Sequence, residues 1–179
     1  MTRIHYLAYG SNLHPHRLQN RVPSARLTGV VELEGMKLEF YKRSKDGSGK
    51  CTMVDSVDSA VFTAVFTIDK KELPELDRVE GVGFGYEHKK LPLRIKGKII
   101  EAITYIASGS YMDRQLKPYH WYKNFVVEGA SYLSFPAAYL DFLNGFESVQ
   151  DQNEKRRSEN EALLAGMKTF GVDFPYTPK

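Results

Sequence analysis

Two short stretches carry the side chains best placed to do chemistry. The first is Tyr9-Gly10-Ser11-Asn12-Leu13. It follows an aromatic and aliphatic run, residues 4–8, that reads as a β-strand. A Gly-Ser-Asn turn can aim successive backbone N–H groups at one point, and such a nest binds a carboxylate or an oxyanion. An ordinary strand-ending turn is the plainer use of the same residues. The second is Glu80, where a short helical stretch meets Gly81-Val82-Gly83-Phe84-Gly85. With no side chain beside it on Gly81, a carboxylate there can project into a cleft and act as a general acid or base. The plainer reading is a solvated carboxylate near a helix end, where the helix dipole slightly disfavours an anion.

Other candidates carry less. The glycine run lacks the spacing of a dinucleotide-binding fingerprint, and the helix precedes it instead of following it, so a tightly turned cleft wall is the expected use. Ser11 has His14 and His16 nearby but no Gly-x-Ser-x-Gly elbow and no acid partner. His14-Pro15-His16 lacks a third metal ligand and reads as surface. Cys51 reads as a core or near-core thiol. The aromatic cluster Tyr119, His120, Trp121 and Tyr122 suits helix packing better than base stacking.

The elements that must position these residues follow from periodicity. Residues 25–41 read as a strand, with Met36, Leu38 and Phe40 alternating against Lys37, Glu39 and Tyr41, and with a hairpin turn or bulge at Glu34-Gly35. Residues 45–50 read as a flexible polar loop. Residues 60–68 are nearly all apolar and predict an interior strand. Asp69 and Glu72 fit a capping box, and Leu73, Leu76 and Val79 share a helical face, with Pro74 arguing for a short or late-starting helix. Residues 86–95 and 99–106 read as two strands. Residues 121–132 and 136–143 read as helices, the second with proline near its start. Residues 150–161 are heavily charged, Ser158 and Glu161 fit another capping box, and Leu163, Leu164, Met167 and Phe170 follow at helical spacing. Strands followed by helices, without regular βαβ alternation, predict an α+β fold. The expected division is a domain at 1–145 and a charged helical extension at 146–179, packed on it or trailing from it.

Composition bounds the function. The 179 residues suit about one domain with a core that needs no staple. The 25 Lys+Arg against 22 Asp+Glu leave a formal net charge of +3, too little to argue nucleic-acid binding. One cysteine excludes an internal disulfide and a multi-cysteine zinc site. No apolar run reaches the roughly 18 residues of a membrane span. With no secretory leader in view, a cytoplasmic location is expected.

Taken together, these pieces resemble the γ-glutamylcyclotransferase-like superfamily. Tyr6 to Leu13 resembles its N-terminal signature, Leu76-Asp77-Arg78-Val79-Glu80-Gly81-Val82 its catalytic segment, and 118–122 with Gly129-Ala130 and 136–143 its helical region. Tyr119-His120-Trp121 replaces more usual small and polar residues. Ser134-Phe135-Pro136 stands where Gly-Leu-Pro is common. Ser11-Asn12 is unlike the glutathione-degrading branch.

The resemblance implies a small, mixed or mostly antiparallel β-barrel with flanking helices. It implies a substrate-binding loop of Tyr9, Gly10, Ser11, Asn12 and Leu13, with Glu80 as general acid/base and Tyr122 orienting it by a hydrogen bond. The implied reaction cyclises a small-molecule γ-glutamyl amide to 5-oxoproline and releases an amine or amino acid. It needs no cofactor, no metal, no nucleic acid and no membrane. A related acyl-transfer enzyme, a non-catalytic ligand-binding barrel and a nucleic-acid module remain as alternatives.

Overall fold

The computed structural model describes residues 2–95 and 97–170. Five strands form one mixed sheet: β1 (Arg3–Ala8), β2 (Arg26–Arg43), β3 (Gly49–Asp69), β4 (Tyr86–Ile95) and β5 (Lys98–Ala107). Their spatial order is β2-β3-β1-β5-β4. The β1–β5 pair is parallel and the other neighbours are antiparallel. Five α-helices lie among the described residues: α1 (Pro15–Gln19), α2 (Leu73–Glu80), α3 (His120–Tyr132), α4 (Ala137–Asn144) and α5 (Glu154–Thr169). The α+β expectation therefore holds. Among the described residues no helix is long and apolar enough to cross a membrane.

Burial on both faces explains the apolar runs. In β1, Tyr6 and Ala8 enter the main core while Leu7 enters a second one with Val65, Leu93 and Ala102. In β3, Ala64, Phe66 and Ile68 face the first and Val65 the second. A strand covered on both sides reads as continuous hydrophobicity rather than alternation.

The implied barrel is corrected to an open, curled sheet. Edge strands β2 and β4 share no hydrogen-bonded ladder. Val31 and Leu33 of β2 and Leu91 and Ile95 of β4 instead pack side chain to side chain around the second core. Pro92 removes one N–H donor from β4, which suits an unclosed edge. Gly35, at φ 75°, sits where the β2–β3 register shifts between Glu34 and Met36. Glu34-Gly35 is thus a bulge within a continuing strand and not a hairpin turn.

Local chemistry corrects further expectations. Asp69 caps a 3-10 turn, Lys70–Glu72, by accepting from the Lys71 amide, while the Glu72 carboxylate turns to Ser24. The pair is no capping box, and α2 proper starts late, with Pro74 in its first turn. Ser158 and Glu161 lie inside α5, whose cap is Asn153, accepting from the Arg156 amide. The 45–50 stretch is an organised turn in which the Asp46 carboxylate accepts from Ser48 and Lys50. Helix α5 packs on α3 and α1, burying Leu164 and Met167. Residues 171–179 of the expected extension lie outside the described residues.

Candidate active site

The loop after β1 folds over the sheet end as a turn, closed by the Leu13 amide donating to the Gly10 carbonyl at 3.0 Å. Gly10 is required by close approach. A Cβ there would stand 2.9 Å from Cys51 Cβ and 3.2 Å from its Sγ. The loop is thereby pressed onto β3, and Ser11 and Asn12 are buried. Among the described residues neither the Ser11 nor the Asn12 amide finds an acceptor. Two adjacent open amides beside the recess are able to hold an oxygen anion.

Glu80 arrives from the other side. Helix α2 ends there because Gly81, at φ 76°, takes the left-handed conformation, and the amides of Gly81 and Val82 both donate to the Asp77 carbonyl. Asp77 fixes the helix to the sheet. Its Oδ1 accepts from the Tyr105 hydroxyl on β5 and contacts His88 Nε2 on β4, each at 2.7 Å. Glu80 Oε1 then accepts from Asn12 Nδ2 at 2.9 Å and Arg21 Nη1 at 2.8 Å. Arg21 Nη1 also donates to Asn12 Oδ1 at 2.9 Å, and Asn12 Nδ2 donates to the Tyr6 hydroxyl at 3.0 Å. This closed triangle fixes the amide's orientation, since a flipped Asn12 would turn its oxygen toward the carboxylate and its NH₂ toward the guanidinium. Both donors to Glu80 use Oε1. Among the described residues none uses Oε2.

Tyr6, Tyr9, Tyr86, Tyr105 and Tyr122 line the recess beside Glu80, with Gly10, Ser11, Asn12 and Cys51. Burial pushes all five phenols well up, so they stay protonated donors. Tyr9 donates to the Tyr105 carbonyl. Tyr86 donates to the Cys51 carbonyl, and the Cys51 amide donates to the Tyr122 hydroxyl at 3.2 Å. Burial also pushes the Cys51 thiol up to about 12, so it is a wall and not a nucleophile. The recess shares Ser11, Glu80, Tyr86 and Tyr122 with an outer cavity of about 300 Å³.

The structure thus brings together Tyr9, Gly10, Ser11, Asn12, Glu80 and Tyr122. It differs at two points. Tyr122 holds the Cys51 backbone and makes no hydrogen bond to Glu80; the orienting contacts come from Asn12 and Arg21. Leu13 is wholly buried in the main core and lines neither cavity.

Neither His14 nor His16 hydrogen-bonds Ser11. His14 is buried against Tyr132, with ring centroids 4.3 Å apart, and its Nδ1 accepts from the His16 amide. The Tyr119–Tyr122 cluster packs α3 and encloses the Lys50 ammonium, 4.6 Å from the Trp121 ring and 4.4 Å from Tyr122. Arg21 was missed, being one of 25 basic residues and 59 positions from Glu80. The one signal for it was its place just past the short helix that follows the Gly-Ser-Asn motif.

Comparison with known proteins identifies relatives over most of the chain. Residues 60–143 match the AIG2-like family. The chain is 30% identical over 169 residues to the gamma-glutamylcyclotransferase of Bos taurus, covering 89% of this chain and 86% of that protein. It is 29% identical over 167 residues to that of Homo sapiens, with 89% and 86% covered. A solved structure of a gamma-glutamyl cyclotransferase superposes with a TM-score of 0.80 at 28% identity, covering 92% of this chain and 99% of that one. YkqA from Bacillus subtilis shares the fold at a TM-score of 0.68 and 17% identity, over 83% of this chain and 56% of that one. By sequence likeness along most of its length, and by a fold that carries the same core, the chain belongs to the gamma-glutamylcyclotransferase family.

Proposed function

We propose that this protein cyclises a small-molecule γ-glutamyl amide to 5-oxoproline, with Glu80 as the general acid and base. The observation that carries the assignment is the one-sided tethering of Glu80. Oε1 is held by Asn12 and Arg21 while Oε2 has no partner among the described residues, on a cavity that also takes in Ser11.

In this reading Oε2 takes a proton from the α-ammonium of the γ-glutamyl group. The freed lone pair attacks the γ-carbonyl carbon, forming the ring C–N bond and a tetrahedral oxyanion. The carboxyl then returns the proton to the leaving nitrogen as the old C–N bond breaks. The surplus proton on the ring nitrogen passes the same way, so the leaving group departs as an ammonium. No water is consumed. Nucleophile and carbonyl share one molecule, so much of the barrier is met by holding a folded conformer. The Ser11 and Asn12 amides hold the anionic end, either the α-carboxylate or the developing oxyanion. The Tyr6 hydroxyl, which accepts from Asn12 and keeps its own proton uncommitted among the described residues, supplies a neutral donor that does not compete with Glu80 for protons.

The test is mass-spectrometric detection of 5-oxoproline from a panel of γ-glutamyl amino acids and γ-glutamylamines. Release by wild type, reduced about 10²- to 10⁴-fold in Glu80→Gln, supports the reading. A Glu80→Gln variant as fast as wild type removes Glu80 from the chemistry. No release from any compound removes the activity.

A further inference from the structure

Six cations line the outer cavity, and they are not equivalent. Arg21 is paired with Glu80, Lys50 with Asp46 and Arg78 with Glu75. Lys45 is exposed to solvent. Arg17 and Lys42 differ from all of these. Both are buried, at 5% and 7% exposure, and among the described residues neither has a carboxylate partner.

Arg17 lies on α1 with its guanidinium 3.9 Å from the centre of the Phe125 ring, and its Nε is buried without a hydrogen bond. Lys42 comes from β2, with its ammonium 4.7 Å from the centre of the Tyr86 ring. Glu80, whose charge acts on both, is already committed to Arg21 through Oε1, and Asp46, which acts on Lys42, is committed to Lys50. Burial lowers both cations, with Arg21 adding to the effect on Arg17, which falls to about 9. Two buried cations with no carboxylate of their own in contact are a standing cost to the fold. Such a cost is met when the counter-ion arrives with a ligand.

We infer that Arg17 and Lys42 form an anion-binding subsite in the outer cavity that selects substrates whose leaving amine carries negative charge, an acidic amino acid above a neutral one and a neutral amino acid above a simple alkylamine. The inference rests on the cyclisation reading for its placement. The γ-glutamyl end occupies the recess by Glu80 and the Ser11–Asn12 amides, which leaves the cations to the departing group. Two unpaired cations match two carboxylates, so γ-glutamylglutamate is the favoured probe.

The experiment compares kcat/KM for γ-glutamylglutamate, γ-glutamylalanine and γ-glutamylethylamide in wild type, Arg17→Gln, Arg17→Lys and Lys42→Met. Circular dichroism melts confirm folding. In wild type each added carboxylate should raise kcat/KM about tenfold, and the gain should shrink as salt rises. Each charge-removing variant should cut the glutamate-over-ethylamide ratio about tenfold, through KM, and Arg17→Lys should restore part of it. Equal kcat/KM for all three probes in wild type, or ratios unchanged by both charge removals, overturns the inference.

A calorimetric titration with glutamate, alanine and ethylamine is run in parallel. If wild type releases 5-oxoproline from nothing, the cyclisation reading falls, and the titration alone decides the subsite. Tighter glutamate binding that weakens in Lys42→Met upholds it, and equal or no binding of the three overturns it.

Discussion

Among the described residues two carboxylate–arginine pairs, Glu80–Arg21 partly buried and Asp151–Arg156 with its carboxylate fully buried, are built to opposite ends. Asp151 is saturated. Its Oδ1 accepts from Arg156 Nη2 at 2.6 Å and from the Asn153 amide at 3.0 Å. Its Oδ2 accepts from Arg156 Nε at 2.6 Å and from Trp121 Nε1 at 2.9 Å. Arg156 beside it, helped by Trp121 and the Asn153 amide, holds that carboxyl well below the usual range. It joins α3 to the start of α5 and has no capacity left. Glu80 makes two contacts, both on one oxygen, and borders a cavity. The same ion pair is a rivet where every lone pair is used. In the proposed reading it becomes a reactive group where one oxygen is left over.

Exchanging each carboxylate for its amide should separate the two roles. Glu80→Gln should cost two to four orders of magnitude in 5-oxoproline release and shift the melting temperature little. Asp151→Asn should lower the melting temperature by roughly 5–10 °C, from the loss of charge-assisted hydrogen bonds, and leave most of the turnover. A Glu80→Gln variant that melts like Asp151→Asn would erase the distinction.

A smaller loss of activity is expected from Gly10→Ala, which thrusts a Cβ to within 2.9 Å of Cys51 Cβ and lifts the loop from β3. Release should fall about 10²-fold for a displacement near 1 Å. The double variant with Cys51→Gly, which lacks the opposing Cβ, should recover part of it.

Acid then sharpens the contrast. Burial, with His16 adding to it, lowers His14 from 6.5 to about 4. The unfolded chain therefore binds that proton first, and stability should fall as pH drops from about 6.5 toward 4. The contribution of Asp151 persists above its ordinary value of 3.8 and should be lost only as pH falls below that. Melting temperature against pH should show both phases, and His14→Asn should remove the upper one alone.

The smallest effect concerns neither carboxylate. Ser134, which ends α3, is the one non-glycine at positive φ among the described residues, at 54°. Ser134→Gly should raise the melting temperature by about 2 °C, leaving both the Glu80 and Asp151 phenotypes in place.

How much of this was legible follows the range of the interactions. The strands at 4–8, 86–95 and 99–106 and the helices at 121–132 and 136–143 could be read because periodicity and turn residues are local signals. The Ser134 position, where the resemblance sets a glycine, is also local, and its left-handed backbone explains the preference. The place of Glu80 at a helix end was legible because a glycine-ended helix is a local device. Its partners were not, because Asn12 and Arg21 lie 68 and 59 positions away. Tyr122 was correctly drawn to the recess but misjudged in its contact, since only the packed position of Cys51 shows what its hydroxyl meets. The open sheet was missed because closure depends on two edge strands far apart in sequence. The 150–161 stretch hid Asp151 among charges, and α5 has only Leu164 and Met167 fully buried.

Strand β1 sits between β3 and β5, and that position sets a timetable. The β2–β3 ribbon needs only neighbouring sequence, but the loop carrying Ser11 and Asn12 is completed by partners that are made much later. Tyr9 meets Tyr105 across 96 positions, and Cys51 meets Tyr122 across 71. During synthesis from the N-terminus, the nascent protein carries Tyr9 for 96 positions before the strand that holds it arrives. Long-range closure of this kind is slow and comes after the local ribbon. Substitutions in the site should therefore leave the folding rate nearly unchanged and express their cost as faster unfolding.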